Sequence, residues 1–165
     1  MAFGVSGSFI PSTVTSGDPI NITVNRTVDV GDVAMVFISL DDVNNPVVGV
    51  TDSSGNDYAV YGLVRNEGTV IIAVASIASA LSSGSSTISV NLGSSARALI
   101  RASSYTGVSS SVASFSTKYT VGSNYNLSWS GLSDGVAFAM FAFPSDYGFA
   151  DDSISGWTQV FVTDD

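Results

Sequence analysis

The 165-residue sequence contains no histidine, no cysteine and a single glutamate, Glu67. General acid–base catalysis near neutral pH depends on His, on carboxyls with a raised pKa or on Lys with a lowered one. Zinc, iron–sulfur, haem and blue-copper centres all require Cys or His ligands. The familiar Ser–His–Asp and Cys–His nucleophile arrangements cannot be built from these residues. We therefore expect a protein that is not an enzyme and that uses no cofactor.

Positive charge is also scarce, because five basic residues face 14 acidic ones and the net charge is −9. Nucleic-acid binding needs clustered Lys and Arg, and the basic residues here are scattered along the chain: Arg26, Arg65, Arg97, Arg101 and Lys118. The charged fraction of 12% is about half the usual share, and Ser, Thr and Gly take the place of the missing charges. We expect no nucleic-acid partner, and a surface of this kind suits contacts with copies of the same chain.

Long apolar runs are absent as well, since no stretch approaches the roughly 18 apolar residues of a membrane-spanning helix. The first eight residues have no basic segment followed by an apolar run, as a secretory signal would. The sequence therefore predicts no membrane insertion and no secretory signal at Met1.

What is present is a repeated β pattern. Ile20, Ile22 and Val24 alternate with polar residues, whereas Val33–Leu40 is a short, continuous apolar run typical of a buried central strand. Turn residues recur every 8–12 positions, which is the spacing of a sandwich. We predict an all-β, antiparallel two-sheet β-sandwich, immunoglobulin-like or jelly-roll, over residues 20–165. Its further predicted strands are Pro46–Thr51, Asp57–Val64, Thr69–Ser76, Thr87–Leu92, Ala96–Tyr105, Ser111–Val121, Asn124–Ser130, Gly135–Phe143 and Trp157–Thr163.

Residues 1–19 are rich in Gly, Ser and Pro and are predicted to form an extended N-terminal arm. Phe3, Phe9 and Ile10 are costly to leave in water, by about 1.5–3 kcal/mol for each fully buried side chain. We therefore expect these three residues to contact a partner subunit or a particle surface. Deletion of residues 2–17 should then leave the sandwich folded and weaken assembly.

The predicted core includes Val33, Met35 and Phe37, or their alternates Ala34, Val36 and Ile38. It also includes Ile71, Val90, Leu99, Phe138 and Trp157. The segment 52–56 is predicted to be a hairpin loop, and residues 73–81 could form a helical turn or two before Ser and Gly end it.

Two kinds of binding site remain open. Asp pairs in loops and the segment 52–57 could ligate Ca²⁺, although solvated turn acids are the simpler interpretation. The aromatic run 143–149 is the best candidate for an exposed loop that binds a partner such as a glycan or host surface, through Tyr147 and Phe149.

Four segments together carry a resemblance: Gly31–Ile38, Val48–Tyr58 (VGVTDSSGNDY), Ser103–Val108 (SSYTGV) and Gly156–Gln159 (GWTQ). Their order resembles that of an immunoglobulin-like β-sandwich module of phage virion proteins and bacterial surface proteins. The resemblance covers roughly residues 20–160 and rests on turn and strand signatures, which specify a fold better than a function.

The resemblance implies a structural protein of a virus particle, such as a phage head-decoration or tail-associated subunit whose partners are itself and other virion proteins. Two alternatives stay open at this point. One is an extracellular or cell-surface recognition module that binds glycan or host surface through its loops, and the other is a subunit of a strand-exchanged filament.

Overall fold

Eight antiparallel strands form the regular structure of the described chain. The computed structural model describes residues 4–40, 47–65 and 68–110. The strands are β1 (Gly4–Gly17), β2 (Ile20–Thr23), β3 (Val33–Leu40), β4 (Val47–Asp52), β5 (Ala59–Arg65), β6 (Gly68–Ser76), β7 (Thr87–Leu92) and β8 (Ala96–Thr106). The bounds of β3 and β7 are those predicted from the sequence.

These strands form two antiparallel sheets, which confirms the predicted all-β sandwich. The larger sheet has the order β1-β8-β3-β6-β5, and the smaller has the order β2-β7-β4. The first described strand pairs with the eighth, the second with the seventh and the third with the sixth. A jelly roll, one of the two alternatives predicted, has these three pairings but places the fifth strand beside the fourth, whereas β5 here pairs with β6 in the large sheet. The chain changes sheet at every described connection except the β5–β6 hairpin, where Arg65 lies opposite Gly68.

The main core lies between the sheets, and most of the strands that form it contribute every second residue, as the period of two requires. From β3 it takes Ala34, Val36 and Ile38, which are fully buried. Ile71 of β6 and Val90 of β7 are buried in the same cluster, as predicted. Leu99 is only half-buried because it points to the other face of β8, so its assignment to the core was wrong. Phe138 and Trp157 lie outside the described residues.

The N-terminal segment is a strand of the large sheet and not the extended arm that the sequence predicted. Gly4–Gly17 pair along β8 of the same chain, from Gly4 opposite Thr106 to Gly17 opposite Ala96. Phe9 and Ile10 are 0% exposed and belong to the main core. The physical reason is that β8 would otherwise be an open sheet edge, and β1 both pairs with it and removes these two apolar side chains from water.

The prediction for segment 52–56 was also wrong. It is not a hairpin loop, because β4 pairs with β7 in the small sheet whereas β5 pairs with β6 in the large one. The turn therefore carries the chain from one sheet to the other. The possible helical turns at 73–81 are also absent from the described chain: residues 73–76 continue β6, and Leu81 forms an isolated bridge with Val28.

The large sheet buries a second apolar cluster on its outer face. Val33, Met35 and Phe37 of β3 lie there with Val74 of β6 and Tyr105 of β8, and all five are 2–8% exposed. Both alternative sets of β3 residues predicted for the core are thus buried, one on each face of the strand. Among the described residues, this cluster has no member from the small sheet.

Candidate functional site

The densest group of polar contacts in the described chain surrounds the carboxylate of Asp52, the last residue of β4. Its Oδ1 accepts hydrogen bonds from the backbone N–H groups of Ser54 (2.8 Å) and Asn56 (3.1 Å). Its Oδ2 accepts from Asn56 Nδ2 (2.9 Å) and from the Tyr58 hydroxyl (3.0 Å). Asp side chains favour such local turns because their oxygens reach the N–H groups that follow. Gly55 has φ +79° at the centre of this turn, a conformation that glycine adopts without steric cost.

Asn56 extends this group to the segment after β6. Its Oδ1 accepts hydrogen bonds from the backbone N–H groups of Ala78 (2.8 Å) and Ser79 (2.9 Å), and its Nδ2 donates to the Ser79 carbonyl oxygen (2.9 Å). Ser54 Oγ donates to the Ala80 carbonyl oxygen at 3.0 Å. The Asp52–Tyr58 turn therefore holds the connection that follows β6 of the large sheet.

Burial is the main cause of the raised pKa of Tyr58, and the neighbouring Asp52 carboxylate adds to it. The phenol therefore keeps its proton and remains a donor to Asp52 over the whole neutral range. Four donors surround the Asp52 carboxylate, and they occupy the directions from which a Ca²⁺ ion would approach. We conclude that this turn is a structural device that joins the two sheets.

The small sheet presents a different surface, which we call the polar face. It consists of those outward residues of β2, β4 and β7 whose side-chain burial the structure describes, and none of them is charged: Asn21, Thr23, Gly49, Thr51, Thr87, Ser89 and Asn91. Asn21, Ser89 and Thr51 form one row across the three strands. The Ser89 hydroxyl donates to Asn21 Oδ1 at 2.6 Å. Asn21, Thr23 and Thr51 are exposed, so the polar face is an array of hydroxyl and amide groups open to contact.

The structure places the predicted contact residues elsewhere or does not describe them. Phe9 and Ile10 are in the core and are not available to a partner, while Phe3, Tyr147 and Phe149 lie outside the described residues. Sequence reasoning missed the polar face, although the alternation of Ile88, Val90 and Leu92 with uncharged polar residues in β7 could have indicated it.

Among the described residues, no three acidic side chains converge as a metal site would require. Within the same ranges, the chain contains no helix with the length and hydropathy needed to cross a membrane.

Comparisons with known proteins give no relative from which a family could be assigned: no protein-family model, no curated protein and no solved structure matches the chain.

Proposed function

We propose that this chain is a non-enzymatic structural protein of a virus particle, a phage head-decoration or tail-associated subunit that adheres to neighbouring subunits through the polar face. The observation that carries the proposal is the polar face itself. It is uncharged and presented on a sheet whose other side is packed into the main core. The partners are copies of the same chain and other virion proteins, and the location is the virion.

A face of this composition suits repeated, modest contacts. Hydroxyl and amide groups can exchange hydrogen bonds with water for hydrogen bonds with a neighbour at a net gain of about 0.5–1.5 kcal/mol each. On a particle surface, attachment at one contact raises the effective concentration at the next, so that many weak contacts add up to firm adhesion. No charged group on the polar face has to be desolvated, which would otherwise oppose close packing.

The three strand pairings that the described chain shares with a jelly roll support the proposal by analogy of fold. Jelly rolls occur in viral capsid domains and in lectins, and fold alone does not decide between such functions. The lectin precedent, together with the hydroxyl and amide groups of the polar face, favours glycan recognition at the cell surface as the second candidate. The alternative of a strand-exchanged filament has less support, because Gly4–Gly17, the segment that a subunit would donate, pairs within its own chain.

Density-gradient separation of particles from the source, with a tagged copy of the chain expressed there, tests the proposal. The wild-type chain should sediment with the particles. The double variant Thr23→Lys/Thr51→Lys places two charges on the polar face and should reduce incorporation by about tenfold or more, since burying unpaired charge costs several kcal/mol. Val30→Lys is the matched control, because Val30 is 64% exposed in a turn outside the polar face.

Two results would count against the proposal. A wild-type chain that stays at the top of the gradient, away from particles, would remove the structural role. A double variant that is incorporated as well as the Val30→Lys control would remove the polar face as the contact surface. Binding of the wild-type chain to a glycan array, abolished by the same double variant, would favour the recognition module.

A further inference from the structure

The two sheets have four edge strands in the described chain, and β5 differs from the other three. β1 contains Pro11, and its pairing with β8 has three register shifts. β2 has only four residues, and the pairing of β4 has a register shift between Val47 and Gly49. Proline, short length and bulges are devices that prevent an edge strand from pairing with another chain.

β5 has none of these devices. Its seven residues, Ala59–Arg65, pair with β6 without a register shift. They include no proline, and the only charged residue is the last one, Arg65. β5 therefore presents a regular row of backbone groups on the side away from β6, which is the arrangement that accepts a further strand.

The backbone of β5 is accessible to such a strand. Ala59, Val60 and Gly62 are exposed. Gly62 has no side chain, so its exposure is that of the backbone itself. Among the described strands, β5 pairs with β6 alone. A further strand can therefore pair with β5 without displacing another described strand.

The charges at the two ends of β5 favour a second copy of the same strand as the partner. Exposed Asp57 lies two residues before the strand, and Arg65 ends it, with only uncharged residues between them. In an antiparallel pair of copies, the Arg65 end of each strand lies beside the Asp57 end of the other, whereas a parallel pair would place like charges together. A register centred on Tyr61 brings the two charged positions directly opposite each other.

We propose that two copies of this chain associate edge to edge through antiparallel pairing of β5 with β5, which joins the two large sheets into one continuous sheet. The pair has two-fold symmetry and is closed, because each copy uses the same strand and no second unprotected edge remains among the described strands. This association is independent of the proposed function, because β5 belongs to the large sheet and the polar face to the small one.

Sedimentation equilibrium of the purified full-length chain over about 1–500 µM, the range expected for a small interface, measures this association. The wild-type chain should shift from monomer to dimer, with no larger species. Val60→Lys places a charge near the centre of the paired edge in both copies and should raise the dissociation constant at least about tenfold.

Val14→Lys is the matched control for this measurement. Val14 is 49% exposed and lies on β1, the opposite edge of the same sheet. The control should keep the dissociation constant within about twofold of the wild-type value. Both variants should retain the far-UV circular dichroism spectrum of the wild-type chain.

Cross-linking gives a second measurement that does not depend on Val60→Lys. The chain has no cysteine, so Val60→Cys introduces a single thiol. In the proposed register, Val60 of one copy lies opposite Gly62 of the other, and the two Val60 positions are diagonal neighbours about 7–8 Å apart. A bis-maleimide of similar span should therefore link Val60→Cys into a covalent dimer, whereas Val14→Cys should stay monomeric under the same conditions.

Four results would overturn the inference. A chain that stays monomeric over the whole concentration range would mean that β5 does not pair with a second copy. A series of species larger than a dimer would mean that the contact is not closed. Equal effects of the matched changes at Val60 and Val14, in sedimentation or in cross-linking, would place the contact elsewhere. A dimer that Thr23→Lys/Thr51→Lys dissociates and Val60→Lys does not would assign the contact to the polar face.

Discussion

Removal of the Asn56 side chain should markedly destabilise the protein, because it deletes three of the hydrogen bonds by which the Asp52–Tyr58 turn holds the segment after β6. The side chain is 5% exposed and makes four hydrogen bonds of 2.8–2.9 Å, to the backbone of Ala78, the backbone of Ser79 and the Asp52 carboxylate. Asn56→Ala deletes all four at once. The two segments that Asn56 links follow strands of different sheets, namely β4 of the small sheet and β6 of the large one.

The expected loss follows from these contacts. Each hydrogen bond contributes about 0.5–1.5 kcal/mol net, and a group left without a partner costs about 1–3 kcal/mol. Ala78 and Ser79 are exposed, so water can replace part of what their N–H groups lose. We therefore expect Asn56→Ala to lower the free energy of unfolding by about 2–4 kcal/mol. For a chain of this length, a loss of 3 kcal/mol corresponds to a fall in Tm of roughly 6–12 °C.

Urea denaturation followed by far-UV circular dichroism measures this loss. The matched control is Asn91→Ala, because Asn91 is half-buried and donates one long bond of 3.5 Å to the Gly49 carbonyl oxygen. The control should lose less than about 1 kcal/mol. Asn56→Asp keeps the acceptor oxygen but loses the amide donor and places a second carboxylate beside Asp52, so its loss at pH 7 should also exceed that of the control. If Asn56→Ala and the control differ by less than about 0.5 kcal/mol, the turn does not join the sheets in the way described.

Three further predictions concern the same fold. Gly55→Ala should cost about 1–2 kcal/mol because the backbone is left-handed there, whereas Gly49→Ala, with equal space and ordinary φ, should stay within about 0.5 kcal/mol in the same denaturation assay. Phe9→Ala should cost about 3–5 kcal/mol by loss of core volume, and Val14→Ala, at a 49% exposed position, less than about 1 kcal/mol; equal losses would return residues 4–17 to the role of a free arm. Above pH 10 the unfolded state releases tyrosine protons that Tyr58 retains in the folded state, because its pKa is raised. The free energy of unfolding should therefore fall with rising pH there, by up to about 1.4 kcal/mol per pH unit for this group; a Tyr58→Phe variant with an unchanged alkaline slope would contradict this.

Strands β3 and β7 could be predicted from the sequence because their residues carry a clear local pattern. The apolar run of β3 and the alternation in β7 set their bounds, since burial on both faces and burial on one face leave distinct periods in the sequence. The buried central position of β3 followed from the same run.

The role of the first strand could not be predicted in this way. Gly, Ser and Pro give residues 4–17 the local character of an arm, and their partner β8 begins about 80 residues later in the chain. Pro11 and the register shifts near it disturb the alternation that would have indicated a strand. The burial of Phe9 and Ile10 is therefore decided by tertiary pairing.

The Asp52–Tyr58 turn shows the same limit. Its Asp, Gly and Asn residues indicate a tight turn equally well within one sheet and between two sheets. Only the pairing of β4 with β7 and of β5 with β6 separates the two arrangements. The polar face likewise depends on which three strands lie side by side, although β2 and β7 each show a visible alternation.

The most direct test of the proposed function is immunogold labelling of this chain in negatively stained material from its source. The account predicts gold at regular positions on heads or tails of virus particles, at several copies per particle. Label confined to the cell surface, to linear filaments or to free protein would contradict it.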